Sequence, residues 1–313
     1  MKPLIVIIIL LLSYENSYKA QISEQKFQIA PDLVQMDLWP DKMPDGTGPT
    51  VAEILTDKGS LTHVSKPRLI VHQPSHPNGT AILVISGGGY AHIELGKESS
   101  PVSDWLQSEG VTAFELIYRL PQENWNTTYV PFEDAQRAIR LIRSLAQKYK
   151  IDEGKIGVLG FSAGGHLAGF TAAQPYRKFY PPVDTTDSLS AKPDFAGLIY
   201  PVISMLPPNN KTHSRKSILG NAPSVSEETA LSVEKQVSSN MPVTFIAQAL
   251  DDPISSIDNS LLLYSALRQV NVPAEMHLFQ TGGHGWGLGK KGSPVAAWSG
   301  LFKTWAKDNG FWK

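Results

Sequence analysis

The chain has 313 residues, with 28 Lys+Arg against 29 Asp+Glu and a formal net charge of -1. A balance this close to neutral leaves no global field to draw nucleic acid or an anionic membrane surface, and small neutral substrates or neutral polymers suit it better. Cysteine is absent, which excludes disulfides, thiolate catalysis and cysteine-ligated metals.

The chain opens with Lys2, an unbroken apolar run from Leu4 to Leu12, and polar residues up to Ala20. This pattern predicts a secretory signal peptide over residues 1–20, with export to the periplasm or the exterior. The run is too short for the about 20 residues that a helix needs to cross a bilayer, so stable membrane insertion is not expected. Residues 21–65 are polar, rich in Pro and Gly, and without sustained periodicity, and are expected to lie over the domain as an extended arm.

From residue 66 to 313 strand and helix patterns alternate. Strands are predicted over Leu69–His72 and Ala81–Ser86, a helix over Pro101–Ser108, and a strand over Thr112–Tyr118. A helix follows with Ala135, Ala138, Ile139, Ile142 and Leu145 on one face and Arg137, Arg140 and Arg143 on the other. Beyond Ile156–Phe161 and an Ala/Leu-rich helix come two loop-rich insertions, 174–194 and 202–239, separated by a strand over Phe195–Tyr200. Excursions of this kind usually cap an active-site face. The chain closes with a strand over Pro242–Gln248, a helix over Ser260–Arg268, a strand over Glu275–Phe279 and a helix from Pro294. The alternation predicts an α/β fold in a single domain: a mostly parallel central sheet with helices on both faces.

Chemistry concentrates at Gly160-Phe161-Ser162-Ala163-Gly164, a G-x-S-x-G stretch between an apolar run and a helical pattern. In that context the serine sits on a sharp strand-to-helix turn with its hydroxyl exposed above the sheet. A serine hydroxyl needs a base to take its proton and an acid to orient the base. Of the eight histidines, His213, His277 and His284 lie well downstream of the elbow helix. His277 falls inside an alternating strand and His213 in an irregular insertion, whereas His284 sits in a glycine-rich loop just after the last strand, so His284 is the predicted base. Asp251 and Asp252 end the strand before it, and Asp252 is preferred as the acid. The chain order Ser162, Asp252, His284 is that of the α/β-hydrolase fold. Gly87-Gly88-Gly89-Tyr90 directly follows a strand, so exposed N–H groups there can receive an oxyanion; Gly88, Gly89 and Ala163 are the predicted donors. Tyr90, Trp125 and Trp286 are candidates for stacking on a sugar ring. His166 is read as a packing residue beneath the site, and Arg119 with Asp134 as a buried polar tie.

These segments, together with Tyr118-Arg119-Leu120-Pro121, Asp134-Ala135-Gln136-Arg137-Ala138 and Gly282-Gly283-His284-Gly285, carry a family resemblance. From about Leu38 onward the chain resembles α/β-hydrolases of the bacterial acetyl esterase and acetylxylan esterase type, distant relatives of the hormone-sensitive-lipase-like esterases. The resemblance implies Ser162 as nucleophile, Asp252 as orienting acid, His284 as base and the glycine turn as oxyanion site. It also implies deacetylation of a small acylated carbohydrate without cofactor or metal. The chain departs from the lipase-like relatives at Ser86, where they carry His, and at Ser255-Ser256, where Val-Pro is more usual, which leaves Asp251 open as the acid. A general short-chain carboxylesterase, a serine peptidase and a non-catalytic binding module are the alternatives.

Overall fold

The computed structural model describes residues 26–40 and 43–313; the predicted signal peptide lies outside them. Eight strands form the main sheet: β1 (Val34–Asp37), β2 (Arg68–His72), β3 (Ala81–Ile85), β4 (Thr112–Ile117), β5 (Ile156–Phe161), β6 (Phe195–Ile199), β7 (Val243–Ala249) and β8 (Ala274–Phe279). Their spatial order is β1-β2-β4-β3-β5-β6-β7-β8. Only β2 runs against its neighbours, pairing antiparallel with β1 and β4, and the other pairings are parallel.

The central strands read as nearly continuous apolar runs because a parallel sheet is covered on both faces. Alternation then decides which cover each side chain meets. Leu83 and Ile85 of β3 join one core and Ile82 and Val84 the other. The first core holds α2 (Val130–Ser144) and α3 (Ala163–Ala173), and the second holds α1 (Ser100–Ser108) and the C-terminal α7 (Trp298–Asp308). Between α3 and α7 run α4 (His213–Leu219), α5 (Val225–Leu231) and α6 (Ile257–Gln269). The α/β reading with helices on both faces stands.

Two expectations need correction. Of the stretch 21–65, expected as an arm laid over the domain, the described part, residues 26–40 and 43–65, is woven into it. It supplies β1 to the main sheet, two strands of a small second sheet with Ile93–Glu94, and the fully buried Leu38. Four-residue β1 is held by its backbone ladder, so it leaves no hydrophobic period to read. The first insertion, 174–194, does not cap the site. It packs on the arginine face of α2: Arg137 pairs with Asp184 at 2.5 Å and Asp187 at 3.1 Å, and Arg140 donates to the Tyr180 hydroxyl at 2.6 Å. A charged helix face predicts solvent only until another segment brings carboxylates to it.

The Arg119–Asp134 tie is present and buried. Arg119 Nη2 donates to Asp134 Oδ1 and to Glu133 Oε2, each at 2.8 Å, and the Trp39 indole N–H also donates to Asp134 Oδ1 at 2.8 Å. Burial pushes the Glu133 carboxyl up to about 8 against the pull of the Arg119 guanidinium. Asp134→Ala is expected to destabilise the fold by about 3–5 kcal/mol, because it strands a buried guanidinium. Urea unfolding measures this as a lower midpoint with an unchanged slope.

Candidate active site

Ser162 stands between β5 and α3 with φ 52° and ψ -117°, a left-handed conformation that a non-glycine residue enters only under strain. The turn closes because its flanks lack side chains. A Cβ on Gly160 would come within 2.2 Å of the Gly164 carbonyl oxygen, and one on Gly164 within 2.2 Å of the Ile85 carbonyl oxygen. The serine backbone is pinned to the neighbouring strand by its N–H donating to Ile199 O at 3.1 Å and its carbonyl accepting from Val202 N at 3.0 Å.

Three separate loops meet here. His284 arrives on the loop after β8, with Nε2 2.7 Å from Ser162 Oγ and Nδ1 2.7 Å from Asp252 Oδ2. The other oxygen of Asp252 accepts from the Ile254 and Ser255 N–H groups at 2.8 and 2.9 Å. The structure thus distinguishes the two adjacent carboxylates. Asp251 faces away from the imidazole and accepts from the Gly282 and Gly283 N–H groups, both at 2.8 Å, which anchors the loop that carries His284. Ser255, where Val is more usual, donates its hydroxyl to Pro201 O at 2.6 Å and ties the acid loop to the stretch beyond β6.

The glycine turn after β3 forms the third side. Gly88 and Gly89 have φ of 109° and 64° and line a cleft of about 550 Å³ together with Ser162 and His284. Their N–H groups donate to no acceptor among the described residues. The Ala163 N–H opens α3, where first-turn donors have no intrahelical partner. Gly87 is different, since its N–H is spent on Glu98 Oε2 at 2.5 Å. From beneath, Tyr118 donates its hydroxyl to Ser86 O at 2.9 Å, and the Ser86 hydroxyl donates to Ser99 Oγ at 2.5 Å. The serine that departs from the lipase-like pattern therefore anchors the turn and leaves its free donors in place.

The three aromatic candidates do not reach the cleft. Tyr90 is fully buried, with its hydroxyl 2.8 Å from His166 Nδ1. Trp125 stacks 5.1 Å from the Arg119 guanidinium against Gly48. Trp286 packs with its ring 4.5 Å from that of Tyr200. Each lies beside a site motif in the chain, but Tyr90 is buried and the half-buried Trp125 and Trp286 pack on protein neighbours outside the cleft lining. His166 keeps its structural role. Burial lowers its pKa to about 4, so it is neutral, and Nε2–H donates to Leu231 O at 2.7 Å.

The cleft walls hold residues that motif reasoning passed over. His92, Glu94, Lys97 and Glu98 come from the segment after the glycine turn, and Thr212 and His213 from the start of α4. His92 lies just after the turn and could have been noticed for that; His213 carries no local signal, because only the folding of the second insertion brings it to Gly89. Chemically, the arrangement offers a hydroxyl already bonded to a base, a base held by a carboxylate, and unpaired N–H donors on the same cleft.

The fold and this constellation define an α/β-hydrolase with a serine at the nucleophile elbow. A family model described as BD-FAE matches residues 69–267, and the chain belongs to that family. It is similar in structure to the acetyl ester-xyloside bifunctional hydrolase of Caldicellulosiruptor lactoaceticus, at 34% identity and a TM-score of 0.79, covering 90% of this chain and 97% of that one. In sequence it is 29% identical to an acetylxylan esterase of Xylanibacter ruminicola over 74% of this chain and 46% of the relative. It is also 36% identical to the endo-1,4-beta-xylanase B of Butyrivibrio fibrisolvens over 65% of this chain and 32% of that protein. The chain therefore spans less than half the length of these two relatives.

Proposed function

We propose that the protein is a carboxylic ester hydrolase that removes acetyl groups from a carbohydrate, acting through an acyl-enzyme on Ser162. The observation that carries this reading is the pair of 2.7 Å hydrogen bonds linking Ser162, His284 and Asp252 beside the free donors of Gly88, Gly89 and Ala163. In the first half-reaction, Ser162 Oγ attacks the ester carbonyl carbon while His284 Nε2 takes the hydroxyl proton. Asp252 stabilises the imidazolium, and the N–H groups of Gly88, Gly89 and Ala163 receive the oxyanion. Collapse expels the alcohol, which leaves with the proton from His284. Water, activated by the same imidazole, then releases the acid.

The sugar side of the proposal is supported by the names of the relatives and by the polar cleft walls. His92, Glu94, Lys97 and His213 offer hydrogen-bonding groups suited to a polyhydroxylated alcohol rather than a lipid. Export is proposed on the N-terminal pattern of Lys2 and the apolar run that follows. Among the described residues no helix is long and apolar enough to cross a membrane.

A chain-length series on p-nitrophenyl esters, run beside acetate release from acetylated xylo-oligosaccharides, pectin and acetylated monosaccharides, tests the substrate class. Each methylene that the site cannot hold is expected to cost about 1–3 kcal/mol in transition-state binding, so rates fall from acetate to butyrate and vanish by octanoate. Faster hydrolysis of octanoate than acetate, with no acetate released from any glycan, would leave a general short-chain or lipase-like esterase instead.

A further inference from the structure

We propose that Glu98 and Tyr200 form a strut that sets the spacing between the oxyanion site and His284, and that both are positioning residues for the reaction proposed above. The geometry is a continuous chain of hydrogen bonds between two loops. Gly87 N–H, at the root of the glycine turn, donates to Glu98 Oε2 at 2.5 Å, and the Tyr200 hydroxyl donates to Glu98 Oε1 at 3.1 Å. The Tyr200 oxygen in turn accepts from Gly287 N–H at 3.0 Å, three residues beyond His284. Tyr200 follows β6 directly, is fully buried with φ 38°, and places its ring 5.0 Å from the imidazole.

The elbow fixes Ser162 and the Ala163 N–H, but the Gly88 and Gly89 donors and the base ride on loops after two different strands, β3 and β8. A reaction that needs its groups placed to within about 0.5 Å must hold such loops against each other. A carboxylate suits this place because both of its oxygens face donors, the Gly87 N–H and the Tyr200 O–H. An amide cannot serve both. With Gln at this position the NH₂ meets one of those donors, while Tyr200 cannot reverse its bond without leaving its own hydrogen unpaired.

A buried acid with no cation bonded to it among the described residues is also sensitive to pH. Burial pushes the Glu98 carboxyl up to about 7, against the Gly87 N–H, the Tyr200 hydroxyl and the charge of His284, while Glu94 adds to the rise. The remaining titratable groups around the strut are Tyr118, which feels the charge of Glu98, and Asp252, which acts on Tyr200. As pH falls through about 7, the strut loses its ionised acceptor. The acid limb of kcat/KM then carries a contribution from Glu98.

The test uses p-nitrophenyl acetate with wild type, Glu98→Gln, Tyr200→Phe, the double variant, and Ser162→Ala as control. Both single variants are expected to lose kcat on the order of 10²-fold from misplacement with KM little changed. The double variant should be no slower than the worse single one. On the acid side, the fall of log kcat/KM should be shallower in Glu98→Gln than in wild type. Additive losses, or equal acid slopes in the two enzymes, would overturn the strut. If Glu98→Gln does not fold by circular dichroism, Tyr200→Phe, which keeps the ring, decides alone: an unchanged kcat rejects the proposal. Wild-type kinetics in the strut variants beside a dead Ser162→Ala refute only the strut, whereas turnover by Ser162→Ala refutes the esterase reading on which it rests.

Discussion

Replacing Ser162 by Ala is expected to remove turnover of p-nitrophenyl acetate, with a loss on the order of 10⁶-fold in kcat if the three residues act as the unit their geometry implies. Covalent labelling by a fluorophosphonate should vanish with it, because among the described residues no other hydroxyl in the cleft is bonded to an imidazole held by an acid. Ala keeps the Cβ and therefore the same backbone strain at φ 52°, so the thermal midpoint should change little. That separates loss of the nucleophile from loss of the elbow. A variant that kept most of its activity would show that Ser162 merely fills a glycine-rich turn.

The acid is the second large effect. Asp252→Asn should cost about 10⁴-fold in kcat, the size seen when the acid of a serine protease was changed in the same way. The local geometry says why the amide cannot adapt. Asp252 Oδ1 accepts two backbone N–H groups, from Ile254 and Ser255, so the amide oxygen must stay there and the NH₂ must point at His284 Nδ1. The imidazole then turns its acceptor toward Asn and its N–H toward Ser162, the wrong tautomer for a base. Asp251→Asn should cost less than about tenfold, since the amide oxygen can keep accepting from Gly282 and Gly283 and only a charge-assisted bond is weakened. The opposite ranking would move the acid to Asp251 and imply a different loop arrangement in solution.

These two carboxylates also mark where sequence reasoning ends. Ser162 was legible because an elbow is local: small residues at Gly160 and Gly164, an apolar strand before and a helix after are all contained in a few positions. His284 was legible by elimination, since a glycine-rich loop after the last strand is where an imidazole can reach over the sheet edge. The choice of Asp252 over its neighbour was only a preference. Adjacent residues at a strand end point in different directions, and the direction is set by the loop they meet, here one 32 residues further on.

Composition, period and turn chemistry alone determined the α/β alternation, most element positions and the expected order of nucleophile, acid and base, because each depends on residues near one another in the chain. Tertiary structure decided the rest. It kept Tyr90, Trp125 and Trp286 out of the cleft lining, since nothing local tells an aromatic ring which side of its loop will face the site. It laid the 174–194 insertion on Arg137 and Arg140, because a charged helix face is equally stable in water or against carboxylates brought from elsewhere. It also paired Glu98 with Tyr200, 102 residues apart, since a lone acid acquires a role only when the fold supplies its donors.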